Sequence, residues 1–421
     1  MHKQQQGLWK NSNFVYLWLG HTISNIGNGI TNLALPLTAI LFLSATPLQV
    51  AMLSAIDGTS VLLFGLLAGV CADRLPRRTI LLFTDISRAL LLGSIPIAAL
   101  FGVLHLAQVY AVSALVALLS VFFSAADASL LPELASPQQL IEGNSKLAIS
   151  DSLAEIIGPS LAGVLVQIVS APLTIFLDSL SFLTSAFCTA RIHLPSKNSF
   201  LPSSSPAHHN IWQDNLEGLL FIAKHPLLRI LAGTAALFNF TGVFIGTLYT
   251  LYVVRTLHIP TMILGLLIAT GGLSALVGAS IAERVIRHTG IGITIGLMLF
   301  LYGITGLLIP LASSPIFFAV TFLFTSQLVG DIAVSIYQIA EISLRQSLTP
   351  TTHLGRVNAS IQFLTRGSLP FGSLLAGVLS EYISIRVTLL IGVLGVMLAG
   401  TILLLSPVRK VQAIDKVHTG S

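Results

Sequence analysis

Twelve times along this chain an apolar run about as long as a bilayer is thick returns, at about 14–43, 48–72, 78–103, 106–131, 144–169, 172–192, 227–255, 260–284, 289–312, 315–344, 355–380 and 386–406. A helix rises about 1.5 Å per residue, so about 20 such residues cross the hydrocarbon core of about 30 Å. No other feature restricts the fold as strongly. A backbone inside lipid must satisfy its own hydrogen bonds, and a helix does so within a single segment. Only 9% of the residues are charged, against about 25% in an ordinary soluble domain. The expected fold is all-α and integral to the membrane, with 12 transmembrane helices.

Lys and Arg give the orientation. If the N-terminus is cytoplasmic, 18 of the 21 fall in inner loops or adjoining helix ends; Arg255 and Arg386 lie near outer loops and Arg366 lies within a span. The positive-inside rule then puts both termini in the cytoplasm of a multi-pass plasma membrane protein, the inner membrane in a bacterium. The net charge of +5 is thus a topology signal, and no nucleic-acid partner is expected. The polar start MHKQQQGLWK leads into a full-length span and reads as no removable signal peptide. Cys71 and Cys188 fall near cytoplasmic helix ends, where no structural disulfide is expected.

The Pro/Ser-rich stretch LPSKNSFLPSSSPAHHN (194–210) has no apolar period and divides six spans from six. The expected organisation is an N-terminal six-helix bundle (1–193), a cytoplasmic linker with an amphipathic interfacial helix (194–225), a C-terminal six-helix bundle (226–406) and a cytoplasmic tail (407–421). The halves also repeat. Residues 129–165 lie over 343–379 without a gap at an offset of 214 (358 − 144), matching Asn144 with Asn358, Gly158 with Gly372 and LAGVL with LAGVL. A second pairing sets ADRLPRR beside AERVIRH at an offset of 210 (283 − 73), matching Asp73 with Glu283 and Arg74 with Arg284. Two related bundles flanking a central site are the plan of secondary transporters.

Between the second and third spans stands GVCADRLPRRT, with Gly69, Asp73, Arg74, Arg77 and Arg78. It resembles the signature of the major facilitator superfamily. In the fifth span IIGPSLAG, with Gly158, Pro159 and Gly163, is similar to the Gly-Pro motif of that superfamily's antiporters. NFVYLWLGHTISNIGNGI, FLDSLSFL and EGLLFIAKHPLLR resemble its drug:proton antiporter subgroup, which includes macrolide efflux proteins and the enterobactin exporter. Asn28 stands where many members carry Asp. The resemblance implies the major facilitator fold, two pseudo-symmetric six-helix bundles, and a cytoplasmic gate in which Asp73 lies near the start of the eleventh helix. Gate candidates are Gly69, Asp73, Arg74, Arg77, Arg78, Asp127, Glu283, Arg284 and Glu341, with Asp127 and Glu341 expected to meet Arg74, Arg77 or Arg345. The same loop charges could instead only set topology.

Polar residues inside spans are functional candidates by default. His21, Asn25, Asn28 and Asn32 are spaced 4, 3 and 4 residues apart on the first helix, while Asn358, Gln362 and Arg366 repeat the spacing on the eleventh. Gln327 and Asp331 share a face of the tenth. These stripes describe either a wet substrate cavity or hydrogen bonding between helices. Asp151 and Glu155 lie one turn apart on one face of the fifth span, where two carboxylates cannot both carry charge cheaply. With Asp57 and Asp331 they are the proton-coupling candidates. Glu155 could equally pair with Arg366. Asp85 and Arg88, three residues apart, are expected to pair with each other, and Asp178 to be structural.

The function expected is proton-coupled efflux of amphiphilic, drug-like small molecules by alternating access, that is, a multidrug-type antiporter acting as a monomer among membrane lipids. A siderophore or lipid exporter of the same fold, or a non-transporting receptor or scaffold, are the alternatives. No Walker-type loop, metal-ligand cluster or nucleophile motif is present, so neither a cofactor nor enzymatic chemistry is expected.

Overall fold

Long apolar runs broken by Pro, Gly and Ser can only give helices joined by tight turns, and that is the architecture of the computed structural model. It describes residues 8–134, 136, 139–193, 211–350 and 352–412, without the side chains of 66, 69, 70, 73, 74 and 211–215. The linker stretch 194–210 therefore lies outside the described residues. In chain order the helices are α1 (Ser12–Leu37), α2 (Pro47–Arg74), α3 (Arg77–Leu100), α4 (Leu106–Leu134), α5 (Leu140–Ile168), α6 (Ala171–Arg191) and α7 (Ile211–Lys224). They continue as α8 (Pro226–Leu251), α9 (Thr261–Thr289), α10 (Ile291–Gly306), α11 (Leu308–Leu311), α12 (Ile316–Leu348), α13 (Leu354–Tyr382) and α14 (Ile385–Leu405).

Among the described residues ten spans pass as membrane-crossing by length and apolarity, α10 and α11 together forming one of them. The other two long helices, α1 and α13, are 26 and 29 residues long. Each falls short because it carries a polar row, His21 to Asn32 in one and Arg356 to Arg366 in the other.

The repeat is kept almost residue by residue in the backbone. Shifted by 214, α1 becomes α8, α5 becomes α13 and α6 becomes α14, with the same first and last residues in each pair. Even the irregularities are copied. After α1 the chain makes one wide turn, Leu43 N–H donating to Thr38 O at 3.1 Å, and after α8 Leu257 N–H donates to Tyr252 O at 3.0 Å. Both turns lead into a residue with φ of 53°, Ser44 and His258. The pairing of Asp73 with Glu283 does not follow this register. The starts of α2 and α9, and of α3 and α10, all keep the offset of 214, so the backbone equivalent of Asp73 is Arg287. Glu283 stands one turn earlier on a similar face, which is why the short motif aligned at 210.

The chain forms two compact units, bounded by Met1–Ala45, Thr59–Leu201 and Pro260–Ala269 in the first and by Thr46–Gly58, Pro202–Ile259 and Thr270–Ser421 in the second. Each thus takes in the start of a helix from the opposite half of the sequence, at equivalent positions. Glycines make room for these and other crossings. In the first unit α5 packs on α1, where a Cβ on Gly158 would stand 2.7 Å from Gly29 Cα, and on the start of α9, where one on Gly163 would stand 2.4 Å from Thr261 O. In the second unit, a Cβ on Gly377 of α13 would meet Ala51 Cβ of α2 at 2.5 Å.

Within the first unit α1 also passes close to α6. A Cβ on Gly27 would lie 2.0 Å from Ser181 Oγ and 2.1 Å from Asp178 Oδ1. Gly27→Val is expected to cost about 1–3 kcal/mol by overpacking, read as a lower melting temperature of the purified protein. An unchanged melting curve would show that α1 and α6 are not held at this spacing.

Candidate functional site

The strongest polar constellation in the first unit is built by three helices. His21 of α1 lies between two carboxylates, its Nδ1 2.9 Å from Asp127 Oδ2 of α4 and its Nε2 2.7 Å from Asp151 Oδ1 of α5. Asn25, one turn further along α1, donates to the same Asp151 oxygen at 2.6 Å. A turn below, Trp18 Nε1–H donates to Ser150 Oγ at 2.8 Å and fixes the register of α1 on α5. The side chains of His21 and Asp127 are 11% and 15% exposed, whereas Asp151 keeps 48% open. Asp151 is therefore the accessible end of the row.

The chemistry follows from the imidazole. A neutral ring has one N–H and can satisfy one carboxylate at a time, whereas a protonated ring donates to both. The row Asp151–His21–Asp127 can thus register a proton as a change in hydrogen bonding across three helices.

Of the residues expected at the gate, Asp127 lies against His21, two turns inside α4, which runs on to Leu134, and Arg77 pairs with Glu133. Glu155 is exposed and, among the described residues, no side-chain hydrogen bond to it is seen, while Asp151, one turn earlier on α5, takes His21 and Asn25 as donors. Asn28 is half-buried and Asn32 exposed, further along the α1 stripe. Asp57 is exposed near the middle of α2 and belongs to the second unit.

Behind the row lies a closed core. Arg88 Nη2 donates to Asp85 Oδ1 at 2.6 Å, with the two side chains 1% and 0% exposed, as their spacing predicts. The guanidinium lies between Phe123 and Phe182, 4.2 and 4.1 Å from the ring centroids. Asp178 is fully buried and accepts from Ser181 Oγ at 2.8 Å. Sequence reasoning missed the aromatic sandwich; the signal available was an Arg too apolar in its surroundings to be solvated.

The repeat makes the asymmetry of the two halves measurable. At the positions 214 residues after His21, Asp151, Asp85, Arg88 and Asp178 stand Ala235, Thr365, Leu299, Tyr302 and Gly392. Only Asp127 keeps an acidic counterpart, Glu341, which is buried and pairs with Arg345 on its own helix at 3.3 Å. In place of the Arg88 sandwich the second unit has an aromatic cluster, Phe238 edge-on to Tyr302 at 5.9 Å and to Tyr337 at 5.4 Å. Asp331 and Gln327 are half-buried on α12, Asn358 has an unpartnered buried Oδ1, and Gln362 and Arg366 are exposed on α13.

Among the gate candidates, the side chains of Asp73 and Arg74, and Gly69 beside them, lie outside the described residues. Arg77 donates to Glu133 Oε1 at 2.6 Å and to Ser129 O at 2.7 Å, holding α3 to the end of α4. Arg78 binds the carbonyls of Thr189 and Ala190, a basic cap on the C-terminus of α6. Glu283 pairs with Arg287 at 3.3 Å, exposed, and Arg284 is exposed beside it. The α5 motif works at close quarters on both sides, Gly158 against Gly29, and Pro159 and Gly163 against Gly265. Thr261 Oγ1 donates to Gly163 O at 3.1 Å, completing that crossing.

A family model described as transmembrane secretion effector matches residues 8–420. The chain is 26% identical to the uncharacterized MFS-type transporter YfiS of Bacillus subtilis over 393 residues, 93% of this chain and 91% of that one. It is 28% identical to the multidrug efflux pump Tap of Mycolicibacterium fortuitum over 212 residues, 49% of this chain and 51% of Tap. A solved structure of a bacterial homologue of the iron transporter ferroportin, inward-facing, superposes with a TM-score of 0.75 at 19% identity, covering 95% of this chain and 99% of that one. A bacterial homologue of the lysosomal transporter Spinster gives a TM-score of 0.73 at 11% identity, covering 96% and 98%. At these identities the solved structures speak for the fold, which is that of major facilitator transporters. Long helices in two repeated halves, a membrane-spanning length of apolar sequence and a family match over nearly the whole chain together place this protein in the transmembrane secretion effector family of the major facilitator superfamily, as a multi-pass membrane transporter and not an enzyme.

Proposed function

We propose that this transporter exports amphiphilic small molecules in exchange for protons, and that the Asp151–His21–Asp127 row is its proton-handling element. The observation that carries this is an imidazole held between two carboxylates, one of them open, in the first unit and replaced by Ala235 and Thr365 in the second. A proton entering at Asp151 changes the donors that tie α5 to α1, and His21 passes the change to α4. Similarity to Tap supports a drug-like cargo. In this reading the protein lies in the bacterial inner membrane with both termini cytoplasmic, and Asp73, Arg74, Arg77, Arg78, Glu283 and Arg284 serve the inner gate.

The test is substrate-evoked proton movement in proteoliposomes, with macrolides and lipophilic cations as cargo. Wild type should move protons with cargo. Asp151→Asn and His21→Ala should abolish proton movement while the proteins keep their wild-type melting behaviour, and Glu155→Gln should leave coupling intact. Coupling that survives Asp151→Asn but fails in Glu155→Gln would overturn the assignment.

A further inference from the structure

Ahead of α1 the chain makes a short turn, Leu8–Lys10, that reaches all three helices of the proton row. Leu8 is fully buried and anchors it, in one apolar cluster with Leu17 of α1 and Leu130 and Leu131 of α4. Asn11, which caps α1, donates from Nδ2 to the carbonyl of Leu134 at the end of α4, at 3.1 Å. Trp9 crosses to α5: Lys146 Nζ lies 4.3 Å from the centre of its ring and 5.8 Å from that of Phe14. The Lys146 side chain is 18% exposed and also pairs with Glu142, one turn earlier. Trp9 stands edge-on to Trp18, their centroids 4.9 Å apart. Trp18 donates to Ser150 Oγ, and Ser150 donates in turn to Lys146 O at 3.1 Å. Both indoles therefore act on the turn of α5 that ends beside Asp151.

We infer that Trp9 and Trp18 are positioning residues for the proton row: by clasping Lys146 and Ser150 they hold α5 at the height and rotation at which Asp151 meets His21. A tryptophan at a membrane interface needs no partner beyond the headgroup region. This one has an ammonium against its ring and a second indole at its side. A cation over an indole face is an attraction that grows as water is excluded, and Lys146 is largely shielded. Ser150 directly precedes Asp151, so a rotation of α5 that frees Ser150 from Trp18 also takes Asp151 away from His21. The repeat supplies an independent observation. At the positions 214 residues after Trp9, Trp18, Lys146 and Ser150 stand Ala223, Ala232, Ser360 and Leu364. Those places lack the clasp just as the places of His21 and Asp151 lack the row. The inference rests on the export reading for what the row does, whereas the contact that the clasp sets can be measured without transport.

The experiment is NMR of the imidazole nitrogens of His21 in the full-length protein in lipid nanodiscs, the resonances being identified as those missing from His21→Ala. Substrate-evoked proton movement in proteoliposomes is measured alongside. Trp18→Phe removes the N–H and keeps a ring, Lys146→Met removes the ammonium and keeps an unbranched chain, and Lys146→Arg keeps a cation that stacks on an aromatic face. Trp18→Phe and Lys146→Met should each displace the His21 resonances and lower the protons moved per cargo by about fivefold, the effect of losing one such contact, with the KM for cargo unchanged. Lys146→Arg should stay near wild type in both measurements. The two disruptive variants lie on different helices, so either one carries the test where the other fails to fold. His21 resonances that stay in place in the disruptive variants, or that move as far in Lys146→Arg as in Lys146→Met, would overturn the positioning role. Displaced resonances in a protein whose wild type moves no protons with cargo would sink the export reading alone. Proton-coupled flux in wild type, with resonances indifferent to both variants, would sink this one alone.

Discussion

Arg88→Met will leave little folded protein. The substitution keeps an unbranched chain between the Phe123 and Phe182 rings but removes the guanidinium that faces Asp85, a carboxylate with no exposed surface. Breaking a buried pair in this way costs about 3–5 kcal/mol, because the remaining charge is left buried without its counter-charge. Asp178, also fully buried, loses a nearby positive charge at the same time. The double variant Asp85→Leu, Arg88→Met should recover most of the loss, since it leaves no orphaned charge. Arg88→Lys should fall between them, keeping the charge but not the flat group that fits between two rings. Detergent-solubilised yield and melting temperature across the four proteins decide the matter. If Arg88→Met melts with wild type, the pair is not what holds α3 to α4 and α6.

Gly163→Leu will sharply reduce transport while leaving the fold in place. The new Cβ would begin 2.4 Å from Thr261 O and 2.9 Å from Gly265 Cα, backbone atoms that cannot rotate away. Overpacking of this kind costs about 1–3 kcal/mol, and a transporter relieves it by separating α5 from the start of α9. A cost of that size changes the population of the joined state by about 5- to 150-fold. The readout is cross-linking of Gln167→Cys to Thr261→Cys, whose native side chains meet at 3.1 Å, in a background lacking Cys71 and Cys188. Strong cross-linking with Gly163 in place and weak cross-linking with Leu is the expected result, together with a loss of flux. Equal cross-linking in both would show that the crossing tolerates a side chain and that the glycine has no part in the cycle.

Apolar run length and the positions of Pro and Gly make the helices legible in the sequence, because a lipid environment leaves the backbone no other choice. The repeat was legible too, down to Asn144 with Asn358, although a seven-residue motif misled the register at Glu283 by one turn. The site was half legible. Spacing put His21 and Asn25 on one face and Asp151 on another, and nothing local could join them: His21 and Asp127 are 106 residues apart, and their meeting is set by how α1 and α4 pack. Glu155 looked equivalent to Asp151 for the same reason. A helical face is a stripe, and only its neighbours decide which of two stacked carboxylates meets a donor. The roles of Asn28, Asn32, Gln362 and Arg366 depend on surroundings that spacing does not specify.

The wide turns at Thr38–Phe42 and Tyr252–Thr256 have a consequence for ancestry. TAILF and YVVRT share no residue in register, and Ser44 and His258 have nothing chemical in common, yet the backbone takes the same unusual path at both places. Side chains cannot have dictated it twice independently. The bend is better understood as older than the present sequences, fixed before a duplicated half-length ancestor diverged. On that inherited frame one copy gathered His21, Asp85, Arg88 and Asp178, while the other filled the matching places with Ala235, Leu299, Tyr302 and Gly392. The two halves of the transporter descend as twins in shape that took up different trades, and substitutions exchanged between equivalent positions would retrace how far that specialisation has gone.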